Sequence, residues 1–260
     1  MKFEIKNFNI SASSLGCFFQ CQRKWAHQYL YRSPRDEVDQ KAMKIGIAMH
    51  SLLEEFYKKE LFDNKQWLVD NWKAFYMKEL LSENKEDLAT GYEALDKLYG
   101  ILQQQNWLQP AWKYGNKKGI EIYFKFPFHG NEKYVVNLTG KIDLLLKRDK
   151  ELCVIDWKTG KSVKYQVNNL NDSLQLILYS VALKKVFDVE DESLFLVYFY
   201  ADKVQKFKVT NQQFQILKEK VNDFLHVYHT KKFAKTVNSW QCGYCEYRSV
   251  CQGKTGTIML

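Results

Sequence analysis

Residues that interrupt regular structure are scarce in this sequence. It contains 3 prolines and 12 glycines among 260 residues, so long disordered linkers are not expected. No apolar run approaches the ~20 residues that a bilayer-spanning helix requires, and the N-terminal stretch MKFEIKNFNISASS has no apolar signal core. A Walker A motif is also absent, which excludes a P-loop motor. We therefore expect a cytoplasmic protein that has no membrane partner.

Positive charge exceeds negative charge along the chain. There are 39 Lys and Arg against 30 Asp and Glu, which gives a formal net charge of +9. Such a balance fits a polyanionic partner, because basic side chains neutralise phosphates and release counterions. Many basic proteins never bind nucleic acid, so charge alone leaves both interpretations open. Basic residues with aromatic neighbours, which would suit DNA but can equally be solvated surface charges, lie at Arg23–Lys24, Lys117–Lys118, Lys161–Lys164, and Lys231–Lys232 with Lys235.

Apolar periodicity divides the chain into a helical part and a part that contains strands. Helical spacing covers 11–32 and 40–60 and continues to about 105, with Gly91 and Gly100 as expected interruptions. From about 119, alternation predicts one strand in IEIYFKFPFHG and two in YVVNLTGKIDLLLKRDKELCVIDWKTG, which turn at Lys147–Glu151. A helix over 172–187, a strand in SLFLVYFYA, its hairpin partner KVQKFKVT and a helix over 211–229 complete the prediction.

Two carboxylates and a lysine stand out on the predicted strands. Side chains alternate across a strand, so Asp156 and Lys158 share one face, while Ile155 and Trp157 share the apolar face. The hairpin can bring Asp143 beside Asp156, where the two carboxylates would repel each other unless a cation lay between them. Oxygen ligands suit Mg²⁺ or Mn²⁺, and a lysine can orient a water or stabilise charge on phosphate. A plain amphipathic hairpin with solvated charges is the alternative.

The six cysteines are concentrated towards the two ends of the chain. In an intracellular protein, clustered cysteines indicate metal binding before disulfides. The pattern C-x2-C-x5-C near the C-terminus is formed by Cys242, Cys245 and Cys251. Three thiolates need a fourth, for which Cys17 and Cys21 are the N-terminal candidates, whereas Cys153 on an apolar strand face is interpreted as a small buried hydrophobe. Zinc and an iron–sulfur cluster both remain open at this point.

Several short motifs follow one another along the chain. They are G-x-x-x-H at Gly46–His50, the strand glutamate Glu121, G-x-I-D at Gly140–Asp143, D-x-K-T-G at Asp156–Gly160 and Q-x-x-x-Y at Gln175–Tyr179. Each motif is weakly specific, but their order and spacing over most of the chain resemble the RecB-like branch of the PD-(D/E)XK nuclease superfamily. The resemblance implies an α/β fold with a restriction-endonuclease-like mixed β-sheet core flanked by helices, a helical subdomain and a C-terminal cysteine-cluster region.

On this basis we expect a single nuclease unit in four parts. An N-terminal helix (1–36) carries the first cluster cysteine, and a helical subdomain (37–118) follows it. The nuclease core covers 119–235, and a cysteine-rich tail covers 236–260. The parts are therefore expected to act together rather than as separate domains.

The resemblance also implies roles for individual residues. His50 would bind a metal through a neutral imidazole; without the family match it would be interpreted as an ordinary helix histidine. Lys158 would assist the attacking water, and Gln175 and Tyr179, which share a helical face, would hold Lys158 or the substrate backbone. Glu121 would complete a second metal site or merely support its strand. The implied catalytic set is Asp143, Asp156, Lys158, Gln175 and Tyr179. The implied metal ligands are His50, Asp143, Asp156, the backbone carbonyl of Trp157, and Glu121.

The cysteine pattern resembles that of RecB-like nucleases with an iron–sulfur cluster. These proteins carry one distant N-terminal cysteine near basic or aromatic residues and three cysteines near the C-terminus. The segment Cys21–Trp25 fits this context, although Gln22 stands where proline is common. The implied cofactor is a structural 4Fe-4S cluster held by Cys21, Cys242, Cys245 and Cys251. Cys17 in place of Cys21, and zinc in place of the cluster, are the alternatives.

Three functional hypotheses follow. The first is a Mg²⁺- or Mn²⁺-dependent exonuclease that hydrolyses phosphodiester bonds at DNA ends or on single strands. It resembles stand-alone enzymes that are associated with CRISPR adaptation or carried by phages, so DNA-processing or CRISPR adaptation proteins would be its partners and the host cytoplasm its location if a phage encodes it. The second is a DNA-binding module of a larger complex, with dispensable catalysis. A zinc-bound structural protein without a DNA role is the third, and it leaves the carboxylates and lysine unexplained.

Overall fold

In the computed structural model, a mixed β-sheet has helices packed on both of its faces. The structure describes residues 6–131, 134–148, 151–159, 173–189, 192–198, 203–236 and 239–252. This architecture confirms the predicted α/β fold with a mixed sheet flanked by helices. Among the helices in these ranges, none has the length and apolar character that crossing a membrane requires.

The first half of the chain is mainly helical. It consists of β1 (Lys6–Ser11), α1 (Ala12–Gln20), α2 (Gln22–Trp25), a π-helical turn (Ala26–Leu30), α3 (Lys41–Lys58), α4 (Lys65–Leu80), α5 (Lys85–Gln104) and a short hairpin of β2 (Lys113–Tyr114) and β3 (Lys117–Lys118). The single helix predicted over 11–32 is wrong at its middle, because Cys21 is extended, with φ −160°, and separates α1 from α2.

The predicted interruptions at Gly91 and Gly100 are also wrong, since α5 continues through both. A Cβ atom at Gly91 would lie 2.3 Å from Nε1 of Trp72, the indole of which is fully buried. Glycine at this position therefore serves the close packing of α5 against α4. The tertiary contact outweighs the cost of about 1 kcal/mol that glycine carries in a helix.

The second half contains most of the sheet. Its elements are β4 (Ile120–Asn131), β5 (Tyr134–Arg148), β6 (Glu151–Lys158), α6 (Leu174–Val186), β7 (Glu192–Tyr198), β8 (Lys203–Phe207), α7 (Asn211–Thr230), α8 (Ser239–Gly243) and α9 (Arg248–Gln252). A capping box of Thr210 and Gln213 starts α7. The end of the D-x-K-T-G motif, Gly160, and the basic stretch Lys161–Lys164 lie outside the described residues.

The long strand β5 organises the sheet. On one side it pairs antiparallel with β4; on the other, its first half pairs parallel with β1 and its second half antiparallel with β6. The ladder with β1 ends at Thr139, and the ladder with β6 begins at Leu144. Within the described strands, residues 140–142 of β5 therefore have ladder partners only in β4, and Asp143 has no ladder partner. We call this opening, where the C-terminal ends of β1 and β6 point towards each other, the fork.

The central strand β6 is buried on both faces. Leu152 and Val154 pack in a core with α1, α6 and α7, whereas Cys153, Ile155 and Trp157 pack in a second core with α3, α4 and α5. The predicted alternation of β6 is thus observed, and Cys153 is buried as expected. The face opposite Ile155 is not a solvent face, however, because helices cover both sides of the sheet. The neighbour β7 runs parallel to β6, and β8 returns antiparallel to β7 as predicted.

Candidate functional site

Two neighbouring strands change faces at the fork. In β4, Ile120 packs with the α3–α5 core and Ile122 with the other core, although residues two apart normally share a face. Glu121, between them, has the left-handed φ of +49°, which reverses the alternation. In β5, Ile142 and Leu144 lie in the same two cores and pair with Ile122 and Ile120. Glu121 and Asp143 therefore occupy matching positions at the switch, where the backbone strain places two carboxylates together.

Helix α3 adds an imidazole to this point. His50 Nδ1 lies 3.6 Å from Asp143 Oδ2 and 4.0 Å from Glu121 Oε1. The helix comes this close because residue 46 is glycine: a Cβ there would lie 2.8 Å from the Oγ1 of Thr159, at the end of β6. The G-x-x-x-H pattern therefore combines a contact position and a ligand position on consecutive turns of one helix face.

The ligand atoms of His50, Glu121 and Asp143 lie close enough together to hold one cation. Within the described ranges, they are the only three His, Cys, Asp or Glu residues whose ligand atoms all lie within 4.8 Å of one another. Two carboxylates and one imidazole are a donor set that Mg²⁺ or Mn²⁺ accepts. Glu121 thus belongs to the group more closely than its sequence pattern indicated.

The electrostatics of this group favour a bound cation. Burial and the negative charge of Asp156 raise the pKa of Asp143 to about 7. Burial opposes protonation of His50, but the facing carboxylates of Glu121, Asp143 and Asp156 raise its pKa overall. Burial likewise opposes ionisation of Glu121, yet His50 and Lys141 lower its pKa. The site therefore holds protons that a divalent cation can displace.

Asp156 lies deeper and is held by a separate network. Asp156 is 2 % exposed. Its Oδ1 accepts hydrogen bonds from Gln175 Nε2 at 2.7 Å and from the Tyr179 hydroxyl at 3.2 Å. Gln175 Oε1 accepts from Lys158 Nζ at 2.8 Å, so one amide links the carboxylate to the ammonium. Gln175 and Tyr179 were predicted to hold Lys158 or the substrate backbone; Gln175 contacts Lys158, whereas Tyr179 contacts Gln175 and Asp156.

One oxygen of Asp156 remains poorly satisfied. Lys158 forms an ion pair with Oδ2, but no donor in the described part of the chain meets this buried oxygen in hydrogen-bond geometry. A buried carboxylate oxygen without a hydrogen bond is costly, and the negative charge of Asp156 acts on Asp143. This oxygen fits a role as a cation ligand.

Two backbone groups near the centre have side-chain partners. The amide N–H of Trp157 donates to Asp143 Oδ2 at 2.8 Å, which fixes this carboxylate across the fork. The Tyr179 hydroxyl lies 2.9 Å from the carbonyl oxygen of Lys141. It can donate a hydrogen bond to this carbonyl at the fork, where β5 has no second ladder partner. Burial raises the pKa of Tyr179 well above its usual range, so the hydroxyl keeps its proton. The predicted ligand role of the Trp157 carbonyl stays a prediction.

Two grooves open on either side of the centre. The α3 groove, of about 460 Å³, includes His50, Glu121, Asp143 and Thr159. The fork groove, of about 690 Å³, includes Ser13, Gly16, Tyr123, Gln175 and Tyr179. Lys141 lines both grooves and forms an ion pair with Glu121. The sequence prediction omitted Lys141; its place inside the G-x-I-D motif was the available signal.

Except for Cys153, the cysteines lie near the two ends of the chain, far in sequence from the carboxylate centre. Cys21, Cys242 and Cys245 line one pocket of about 150 Å³ together with Lys24. Burial, with added contributions from the charges of Cys21 and Cys251, raises the pKa of Cys245. The extended conformation of Cys21 makes it the N-cap of α2 and turns it towards this pocket. Cys17 instead lies 3.8 Å from Gln28 Oε1, and burial raises its pKa to about 11.

Protein contacts already join the two ends of the chain. The Asp36 carboxylate accepts hydrogen bonds from the amide and the hydroxyl of Ser249, and Arg35 donates to the Tyr247 hydroxyl at 3.1 Å. The His27 ring stacks on Tyr247 at 5.8 Å. These contacts hold the two chain ends together independently of any group that binds the thiols.

One of the basic groups predicted to contact DNA is not a surface group. Arg23 is 1 % exposed, so only its neighbour Lys24 can offer charge to a partner. The Arg23 amide donates to the carbonyl of Ala234, and Gln22 Oε1 accepts from the Ala234 amide. This segment therefore anchors the N-terminal region against the stretch that follows α7.

Comparison with known proteins agrees with the geometry. A family model of the PD-(D/E)XK nuclease superfamily matches residues 9–252, and the chain belongs to this superfamily. Membership makes it a metal-dependent nuclease by family. No match was found among curated proteins. Among solved structures, one titled "Crystal structure of SSO0001" is similar over 95% of this chain and 87% of that chain, with 16% identity and a TM-score of 0.39.

Proposed function

We propose that this protein is a Mg²⁺- or Mn²⁺-dependent deoxyribonuclease that acts as an exonuclease on DNA ends or single strands. One observation carries the proposal: the strand switch brings Asp143, Glu121 and His50 together beside a buried Asp156 that is linked to Lys158. A hairpin with solvated charges would not require a strained backbone at Glu121 or a dedicated amide at Gln175.

The residues divide into ligands and helpers. His50, Glu121 and Asp143 would hold the cation. Asp156 would add Oδ2, the oxygen that is ion-paired with Lys158 but has no hydrogen bond. Bound there, a divalent cation lowers the pKa of a coordinated water and neutralises charge on the phosphate. The Trp157 amide keeps Asp143 in place, and its carbonyl is retained as a further proposed ligand.

Lys158 is the proposed helper of hydrolysis. Its ammonium is fixed by Gln175 and Asp156, and one-quarter of its side chain is exposed, so that it can still reach a substrate. From this position it can orient the attacking water or donate to a phosphate oxygen as negative charge develops. Gln175 and Tyr179 are included in the catalytic set because they hold Lys158 and Asp156 in one arrangement.

The structural cluster is part of the same proposal. Cys21, Cys242 and Cys245 share a pocket, and Cys251 lies in α9 close enough for its charge to act on Cys245. Within the described ranges, no three of these thiols lie within 4.8 Å of one another. We assign the four to a 4Fe-4S cluster, with zinc as the alternative, and Cys21 over Cys17 because only Cys21 lines the pocket. Iron, sulfide and zinc analysis of anaerobically purified protein distinguishes these outcomes.

A degradation assay tests the proposed activity. Wild type, Lys158→Ala and the matched control Lys97→Ala, which changes an exposed lysine on α5, are incubated with end-labelled single- and double-stranded DNA. Mg²⁺, Mn²⁺ and EDTA are compared. We expect cleavage from the ends with either metal, none with EDTA, and a large loss in Lys158→Ala alone. Absence of metal-dependent cleavage on every substrate would refute the nuclease proposal and favour the second hypothesis, a DNA-binding module.

We further propose membership in the stand-alone RecB-like subgroup linked to CRISPR adaptation or phages. Support comes from the motif order and the cysteine arrangement. The four parts 1–36, 37–118, 119–235 and 236–260 remain our proposed organisation, with the first part tied into the sheet through β1. Co-purification with CRISPR adaptation proteins, or its absence, tests the partner.

A further inference from the structure

The fork groove has the chemistry of a site for a flat, partly apolar group with a neighbouring negative charge. Its floor contains Phe124 and Leu178, each 1 % exposed, while Tyr123 at its rim is 59 % exposed. The Ser13 and Thr139 residues add hydroxyls to the wall. Aromatic and apolar walls with a few polar groups are the usual lining of ligand sites.

Tyr123 and Lys141 form a cross-strand pair at the entrance. Their Cα atoms are register partners in β4 and β5, so the side chains leave the same face of the sheet. The Lys141 side chain is 56 % exposed. An exposed aromatic ring can stack on a base, and the neighbouring lysine, which is ion-paired with Glu121, can also contact the adjoining phosphate.

The position of the groove connects it to the metal centre. Lys141 lines both grooves, and Gln175 and Tyr179, which hold Asp156, form part of the fork-groove wall. A strand whose phosphate lies at Asp143 would therefore pass Lys141 and place its next base in the fork groove. We expect a paired base to fit less well, because its partner strand would also have to be accommodated at the groove.

We propose that the fork groove is a subsite for one unpaired nucleobase, with Tyr123 as its stacking platform, and that it makes the enzyme prefer single strands. This proposal rests on the proposed nuclease function for its substrate. It assigns a specificity role to Tyr123 and to the open space above Gly16 on α1, where an added Cβ would meet no atom within 4 Å.

Binding is measured by fluorescence anisotropy with a labelled oligo-dT and with a blunt duplex of the same length. An Asp143→Asn background prevents consumption of the DNA. We expect Tyr123→Ala to weaken single-strand binding at least about tenfold, as removal of one stacking platform typically does. Tyr123→Trp should retain the affinity, and neither variant should alter duplex binding.

A second pair of variants consists of one that fills the groove and one matched control. Gly16→Leu should weaken single-strand binding like Tyr123→Ala, because its side chain would occupy the base position. Gly100→Leu is the matched control: it also replaces a helical glycine with open space around its Cβ, but on α5. Circular dichroism confirms that both fold, as expected from the better helix propensity of leucine.

Unchanged single-strand affinity in both Tyr123→Ala and Gly16→Leu, or an equal loss on duplex, would overturn the subsite. The two proposals can fail separately. If wild type cleaves DNA but these variants bind normally, only the subsite falls. If wild type cleaves nothing while single-strand binding depends on Tyr123 and on the space above Gly16, the nuclease proposal falls and the subsite stands.

Discussion

The carboxylate centre and the cysteine pocket are both candidate metal sites, but the chain builds them differently. At the centre, Asp156 is buried, and Lys158, Gln175 and Tyr179 form a hydrogen-bonded network around it. At the pocket, the thiols of Cys21, Cys242 and Cys245 are half-buried on short or extended segments. The centre is thus preorganised by side chains, whereas the pocket is held by contacts outside the thiols, such as Asp36 with Ser249.

This difference indicates what a bound cation would contribute at the centre and what a cluster would contribute at the pocket. The raised pKa of Asp143 indicates a buried carboxylate whose charged form costs free energy without a cation. The raised pKa of His50 shows that the facing carboxylates favour positive charge at this point. Among the described residues that line the pocket there is no Asp or Glu, and the neighbouring contacts can keep the chain ends together. A cation should therefore matter most to the chemistry at the centre, while a cluster should add a cross-link at the pocket.

The largest expected effect comes from Asp143→Asn. Losing a ligand should cost more than the 10–100-fold typical of supporting groups, so we expect cleavage to fall at least about a hundredfold. Iron content should not change, because the two sites are independent. End-labelled DNA degradation and iron analysis on the same preparation measure both. Wild-type cleavage by this variant would contradict the assigned centre.

Cys21→Ser should have its main effect at the other site. Because a serine hydroxyl does not replace a cluster thiolate, we expect loss of most of the iron, while Mg²⁺ affinity stays unchanged. Cys17→Ser is the matched control and should keep its iron. Absorbance and iron analysis after anaerobic purification give the comparison. Loss of iron in Cys17→Ser alone would reverse the assignment of the fourth ligand.

Gln175→Ala tests the preorganisation of the centre itself. Without the amide, Lys158 and Asp156 lose their shared partner, and we expect cleavage to fall about 10–100-fold. Gln104→Ala changes an exposed glutamine of α5 and serves as the control. Initial rates on a single-stranded substrate compare the two. Equal rates for wild type and Gln175→Ala would show that Lys158 needs no such support.

The smallest predicted effect is a pH dependence of stability in the metal-free protein. Asp143 keeps its proton up to about pH 7 when folded, whereas the unfolded chain loses it near pH 4. The folded state then binds more protons, so the free energy of unfolding should fall as pH rises from about 4 to 7. The raised pKa of His50 acts in the same direction at higher pH, because the proton held only by the folded state is lost there.

Thermal unfolding in EDTA and in Mg²⁺ at pH 5 to 8 measures this dependence. We expect Mg²⁺ to raise the Tm more at pH 8 than at pH 5, since fewer protons compete with the cation. The Asp143→Asn variant isolates the contribution, because its Tm in EDTA should fall less over the same range. The same fall in wild type and variant would remove Asp143 as the cause.

Local patterns predicted most elements of the chain. The alternation in β6 placed Cys153, Ile155 and Trp157 on one face, and helical spacing identified α3 through α5. The short strand β1 was not predicted, since its pairing with β5 joins segments that are far apart in sequence. The Cys21 break between α1 and α2 was also missed, because no glycine or proline marks it.

By itself, the sequence determined which residue types carry the chemistry and the order in which they occur. Strand and helix periods are local properties, so Asp156 with Lys158, and Gln175 with Tyr179, could be paired before any fold was known. Only the tertiary structure decided that β4 and β5 switch faces at Glu121 and Asp143, and that β1 and β6 leave a fork beside them. A left-handed residue and a gap between ladders arise from non-local packing, which no local pattern encodes.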